Sequence, residues 1–154
     1  MQKVLIFGIF VIAGLTLNGQ SLELTFEDLE ERLGAQNAPQ YFYKNLPYTG
    51  KTTNRAEYEQ KIIEYTLIDG YIQQQLGWDF DGNTVRHFEY QNGVPHGKLI
   101  SYFTNGQKYY EVDYIDGKAH GMEYGWYRDG SKRLEVRYVN GHTMYKIEYP
   151  KPKH

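Results

Sequence analysis

The chain has 154 residues with 16 Tyr, 7 Phe, 2 Trp and no Cys, and a formal net charge of −2. That length suits one domain. The lack of Cys excludes disulfides and thiolate metal sites, and a mildly acidic balance gives no electrostatic pull on nucleic acid or anionic lipid. A Tyr-heavy, Gly-rich composition favours strands and tight turns over a helical bundle.

Residues 1–20 stand apart. Lys3 gives a short basic start, Val4 to Leu17 is apolar apart from Gly and Thr, and Asn18-Gly19-Gln20 is a small, polar exit. This is the build of a secretory signal peptide, too short for a comfortable membrane span. The expected mature domain is secreted or periplasmic, without stable membrane insertion once the leader is removed. Its net charge becomes −3, because the leader carries one lysine and no acid.

Residues 21–47 form a lead-in. Thr25 to Gly34 predicts one short helix: Thr25 can cap it, Asp28 stands where a capping box carries Glu, and Phe26, Leu29 and Leu33 make one stripe. So short a helix must lie on something else to persist. After Ala38-Pro39, Tyr41-Phe42-Tyr43 reads as a short strand.

From residue 48 to 149 the chain repeats. Asn92-Gly93, Asp116-Gly117 and Asn140-Gly141 recur every 24 residues, as do Asp81-Gly82, Asn105-Gly106 and Asp129-Gly130, the two series offset by 11. Asx-Gly pairs are strong hairpin signals because Gly takes positive φ without steric cost. An internal period of this length outranks local propensity in deciding the fold. The expectation is an all-β meander of antiparallel hairpins, roughly eight strands, with a degenerate first unit around Asp69-Gly70 and a tail at 150–154.

Period-2 alternation then assigns faces. Leu76, Ile100 and Tyr124, with Trp78, Tyr102 and Trp126, precede one turn series; Phe88, Val112 and Val136, with Tyr90, Tyr114 and Tyr138, follow it. A three-residue loop pairs even with even positions, which predicts that all of these share the core face and that Gly82, Gly106 and Gly130 take the left-handed position. The odd face then carries Glu89, Glu111, Asp113, Glu123 and Glu135 with Arg133 and Arg137.

Tyr48-Thr49-Gly50-Lys51, Val94-Pro95-His96-Gly97-Lys98 and Gly117-Lys118-Ala119-His120-Gly121 resemble the turn signature of MORN repeats. The unit containing Tyr102 to Gln107 looks like the bacterial MORN-repeat variant. The lead-in Thr25 to Leu29 with Pro47 to Lys51 is similar to the start of YwqK-type toxin–antitoxin antitoxins. The resemblance covers roughly residues 25–149. It implies a hairpin stack and a non-catalytic, partner-binding role.

Candidate chemistry is sparse. His96 and His120 lie one repeat apart, about 9.5 Å at the usual strand spacing. A shared ion needs ligands at about 2 Å, so both read as structural turn residues. The acids alternate along a strand as on any half-solvated sheet, and no elbow motif surrounds Ser21, Ser101 or Ser131. No enzymatic activity, cofactor or metal is expected. Phe103, Tyr109 and Tyr127 are different: large aromatics on the face expected to meet water form the candidate binding surface. The favoured reading is an exported module for protein–protein recognition. The alternatives are an antitoxin or immunity-type protein that neutralises a cognate toxin, and a module that binds glycan or another cell-envelope component.

Overall fold

The computed structural model describes residues 24–56 and 61–153, with the short pieces 16–17 and 20–21. Strands β1 (Thr16–Leu17) and β2 (Gln20–Ser21) pair as a minimal ladder. The rest of the expected leader lies outside the described residues. A three-stranded sheet follows, β3 (Glu30–Leu33), β4 (Pro39–Tyr43) and β5 (Leu46–Pro47). The repeat region is a nine-stranded antiparallel meander, one more strand than expected, running in chain order through β6 (Gly50–Ala56), β7 (Lys61–Ile68), β8 (Tyr71–Asp79), β9 (Thr84–Gln91), β10 (Val94–Tyr102), β11 (Lys108–Ile115), β12 (Lys118–Trp126), β13 (Lys132–Val139) and β14 (His142–Glu148). Among the described residues no helix is long and apolar enough to cross a membrane.

The short N-terminal helix does not form. Only Phe26–Asp28 makes a single 3-10 turn, in which Thr25 N–H donates to Asp28 Oδ2 at 2.7 Å. Glu30–Leu33 instead pairs with Pro39–Tyr43. One turn cannot offset the cost of helix nucleation, whereas the β-ladder satisfies the same backbone and leaves Leu33 outside at 78 % exposure. The stripe predicted for the helix is therefore split. Phe26 and Leu29 still reach the core, packing on a cluster of Leu24, Tyr41, Tyr48 and Leu67. Phe26 stacks on Tyr65 with ring centres 4.2 Å apart. A parallel bridge from Thr25 to Thr53 covers part of the outer edge at β6, where unpaired backbone would otherwise invite association.

Two turn types alternate along the sheet. Asp69-Gly70, Asn92-Gly93, Asp116-Gly117 and Asn140-Gly141 have both residues at positive φ, near 50° and 80°, the two-residue loop that matches strand twist. At the opposite end Gly82, Gly106 and Gly130 sit at φ 84°, 81° and 85° and close three-residue loops, as the sequence predicts. The two-residue turns also stack on one another. The N–H groups of Gly70, Gly93, Gly117 and Gly141 donate to the carbonyls of Tyr48, Ile72, Pro95 and Ala119, each one unit back, at 2.7 to 2.9 Å.

The expected face assignment is half right. At each three-residue loop the tip does pair even with even: Trp78 with Thr84, Tyr102 with Lys108, Trp126 with Lys132. One step further in, the returning strand carries an extra residue, so Gly77 opposes Arg86, Ser101 opposes Tyr110 and Gly125 opposes Leu134. A one-residue slip exchanges the two faces. Leu99 therefore shares its face with Val112 and Phe88, and Ile100 shares its face with Glu111 and His87. The inner face carries most of the buried sheet residues, including Leu67, Gln75, Phe88, Val112, Glu123, Leu134 and Val136. Leu76, Trp78, Ile100, Tyr102, Tyr124 and Trp126 stand half-buried on the outer face, not in the core. Glu123, expected outside, is inside.

Candidate functional site

The inserted residues of the three bulges are Val85, Tyr109 and Arg133, again 24 residues apart. Bulges re-aim side chains, and here all three turn inward. The positions beside them hold small residues, Gly77, Ser101 and Gly125. A Cβ at Gly77 would lie 3.6 Å from Val85 Cγ2, and one at Gly125 only 2.9 Å from Arg133 Nη2. Small residues thus leave room for a row of bulge side chains along the turn end of the inner face.

Around the middle and last members of that row the structure brings together all three aromatics singled out from the sequence. Phe103, Tyr109 and Tyr127 line one hollow of about 570 Å³ with Trp126, Arg128, Arg133 and Lys151. Tyr109 is 43 % exposed, on the inner face and not on the outer one. Phe103 meets it edge-on, ring centres 5.1 Å apart and planes at 66°, the arrangement preferred by aromatic quadrupoles. The Arg133 guanidinium lies 5.6 Å over the Tyr109 ring. Tyr127 is anchored by its hydroxyl, which donates to the Tyr149 carbonyl at 2.9 Å. A second hollow of about 400 Å³ adjoins the first through Phe103, Tyr109 and Arg128 and extends to Arg86 and Ile63. The turn tips that frame both are tied together: Arg128 Nη2 donates to Thr104 Oγ1 at 2.9 Å, and Asn105 Nδ2 to the Arg128 carbonyl at 3.2 Å.

Of the cations of this trough, Arg86, Arg128 and Lys151 escaped the sequence reading, and Arg133, expected on the solvated odd face, turns inward. Arg86, Arg128, Arg133 and Lys151 do not recur at the repeat spacing, so periodicity could not flag them. The one available signal was the small-residue series Gly77, Ser101 and Gly125, since a glycine inside a strand marks a close approach.

The outer face has a different character. Four of its lysines are paired with neighbouring acids: Lys51 with Glu64 at 2.9 Å, Lys98 with Glu111 and Asp113 at 3.1 and 2.9 Å, Lys132 with Glu135 at 2.8 Å, and Lys108 with Glu111. Burial works to raise the Glu111 pKa, but hydrogen bonds from Lys108 and Lys98 more than offset it and hold the carboxyl below its ordinary value. A carboxyl held in that state is an ion-pair partner, not a proton donor.

Deeper on the inner face runs a row of tyrosine hydroxyls. Tyr90 donates to Gln75 Oε1 at 3.4 Å, and Gln75 Nε2 donates to the Tyr65 hydroxyl at 3.5 Å. Tyr110 and Tyr138 face the buried Glu123, and burial first, then that carboxylate, pushes both phenols up. Burial alone dominates at Tyr90, which rises to about 12. These phenols keep their protons at neutral pH and satisfy buried polar groups. His96 and His120 each sit against the next two-residue turn, with His96 Nδ1 3.5 Å from Asp116 Oδ1 and Asn140 N–H donating to His120 Nδ1 at 3.4 Å.

Compared with models of protein families, the chain matches none, and no curated protein matches it either.

Proposed function

We propose that this protein is a non-catalytic MORN-like recognition module that binds a partner protein through the trough on its inner face. The observation that carries this reading is the convergence of Phe103, Tyr109 and Tyr127 with three cations around one hollow. Aromatic residues and arginine are the side chains that concentrate binding energy at protein interfaces. The rings are held by Arg133 and the Tyr149 carbonyl, so little rotamer freedom is lost on contact. An exported location, and a toxin as the partner, rest on the leader and on the turn resemblance respectively.

The test is affinity capture from cell-envelope extract with the domain from Ser21 onward, comparing wild type with a Tyr109→Ala, Tyr127→Ala double variant. A specific protein retained by wild type and lost from the variant supports the reading. Equal retention by both places the interface elsewhere. Retention of polysaccharide in place of protein would establish the glycan-binding alternative.

A further inference from the structure

Resting on that reading, we infer that the trough takes an extended acidic segment of the partner, about six residues long, whose carboxylates meet Arg86, Arg128, Arg133 and Lys151. The contrast between the two faces points to this. On the outer face Lys51, Lys98, Lys108 and Lys132 each have a carboxylate of their own. Along the trough, none of Arg86, Arg128, Arg133 or Lys151 belongs to an ion pair among the described residues. Glu148 acts on Arg133 only at longer range. Asp129, the one acid in the first hollow, accepts from Ser131 N–H at 2.9 Å. Four cations outside any ion pair thus border two adjoining hollows in a chain of net charge −2.

Two of the arginines each keep one donor unsatisfied. The Nε atoms of Arg86 and Arg133 are buried without a hydrogen-bond partner, and buried donors of this kind are costly until an acceptor arrives. The guanidinium fork matches a carboxylate with two parallel bonds. Arg86 on β9 and Arg133 at the start of β13 are four strands apart, about 19 Å at the usual spacing, which an extended peptide spans in about six residues. Tyr109 argues against a flat sugar ring or a nucleobase as occupant. One face is covered by Arg133 and Phe103 packs against the ring at a steep angle, so that face of Tyr109 is closed to stacking.

The experiment uses fluorescence anisotropy of the full mature protein with a labelled, end-blocked six-residue probe of four glutamates flanking two central phenylalanines. Saturable binding that weakens with added salt is expected, with no binding of the glutamine counterpart. Arg128→Glu and Lys151→Glu, both at exposed positions, should each weaken binding about tenfold or more, the usual scale for a charged hydrogen bond. Lys98→Ala on the outer face should leave it unchanged. Equal binding of the glutamine peptide, tighter binding of polygalacturonate or polyphosphate, or indifference to both charge reversals would each overturn the inference. Should the capture experiment retain a protein through Tyr109 and Tyr127 while the acidic probe fails, the recognition role stands and only this occupant falls.

Discussion

Arg133 occupies the space that a side chain at Gly125 would need. A Cβ built there falls 2.9 Å from the guanidinium and 3.1 Å from the Leu134 Cβ. The guanidinium can swing aside; Leu134, nearly buried in the opposite strand, cannot. Gly125→Ala should therefore cost about 1–3 kcal/mol, the range for overpacking. It should also move Arg133 off the Tyr109 ring. Urea unfolding checks the first outcome and the trough's affinity for an acidic peptide the second. A variant indistinguishable from wild type in both would mean that the small-residue series has no spatial role.

Gly106 makes the opposite case. Nothing lies within 4 Å of a Cβ built on it, yet its φ is +81°. Any loss on substitution comes from the backbone alone. Gly106→Val should cost about 1–2 kcal/mol or more, the left-handed penalty for an L-residue. Gly106→Asn should recover much of it, because Asn tolerates that region. Thermal melts of the pair give the comparison, and equal destabilisation by both would point to a steric cause.

The two faces differ in what they contribute to stability. Leu67 is 1 % exposed and belongs to the cluster beneath the three-stranded sheet. Leu67→Ala should cost about 2–5 kcal/mol. Trp126 is larger but stands half-buried on the outer face, beside Tyr124 and under the Lys108 ammonium at 6.0 Å. Its truncation opens no enclosed cavity, so Trp126→Ala should cost less than Leu67→Ala. The reverse order in chemical denaturation would restore Trp126 to the core.

High pH should unfold the protein early. Tyr41 and Tyr90 are pushed by burial from 10.0 to about 12, and Tyr110 is pushed up as well. In the unfolded chain the phenols ionise first, so the folded state holds more protons as pH passes 10 and stability falls with rising pH. The contribution is complete below pH 10 and is lost toward about pH 12. Denaturant midpoints across that window, read beside tyrosinate absorbance, should drop together. Tyr90→Phe should flatten part of the slope.

The turns were plain in the sequence because each depends on one residue type with one conformational property. Asp116-Gly117 or Asn105-Gly106 says where the chain reverses whatever surrounds it. The bulges were not plain. Val85, Tyr109 and Arg133 share no chemistry, and the extra residue is fixed by which register buries Val112 against Leu99, a relation between strands and not a property of either. Tip parity alone extrapolated to the wrong face for Ile100 and Trp126. The lead-in failed for a related reason: residues 25–34 have helical spacing, but Pro39–Tyr43 offers Glu30–Leu33 a ladder that a single isolated turn cannot match. Phe103, Tyr109 and Tyr127 were legible as unusual aromatics. Their meeting with Arg128, Arg133 and Lys151 depends on a bulge and on a tail that passes the turn end.

The backward hydrogen bonds from Gly93, Gly117 and Gly141 make each unit answer only to the one before it. Excising residues 93–116 would join Asn92 to Gly117, keep an Asn-Gly turn, and present the Gly117 N–H to the Ile72 carbonyl that Gly93 now serves. The reading surface then behaves as a ruler with fixed graduations. Insertion or loss of whole units lengthens or shortens it in steps of two strands, about 9.5 Å each. Any shorter change throws the bulges out of phase with the small residues opposite them. Homologous chains built this way would be selected to differ by whole units, and the span of what they grip would differ in the same steps.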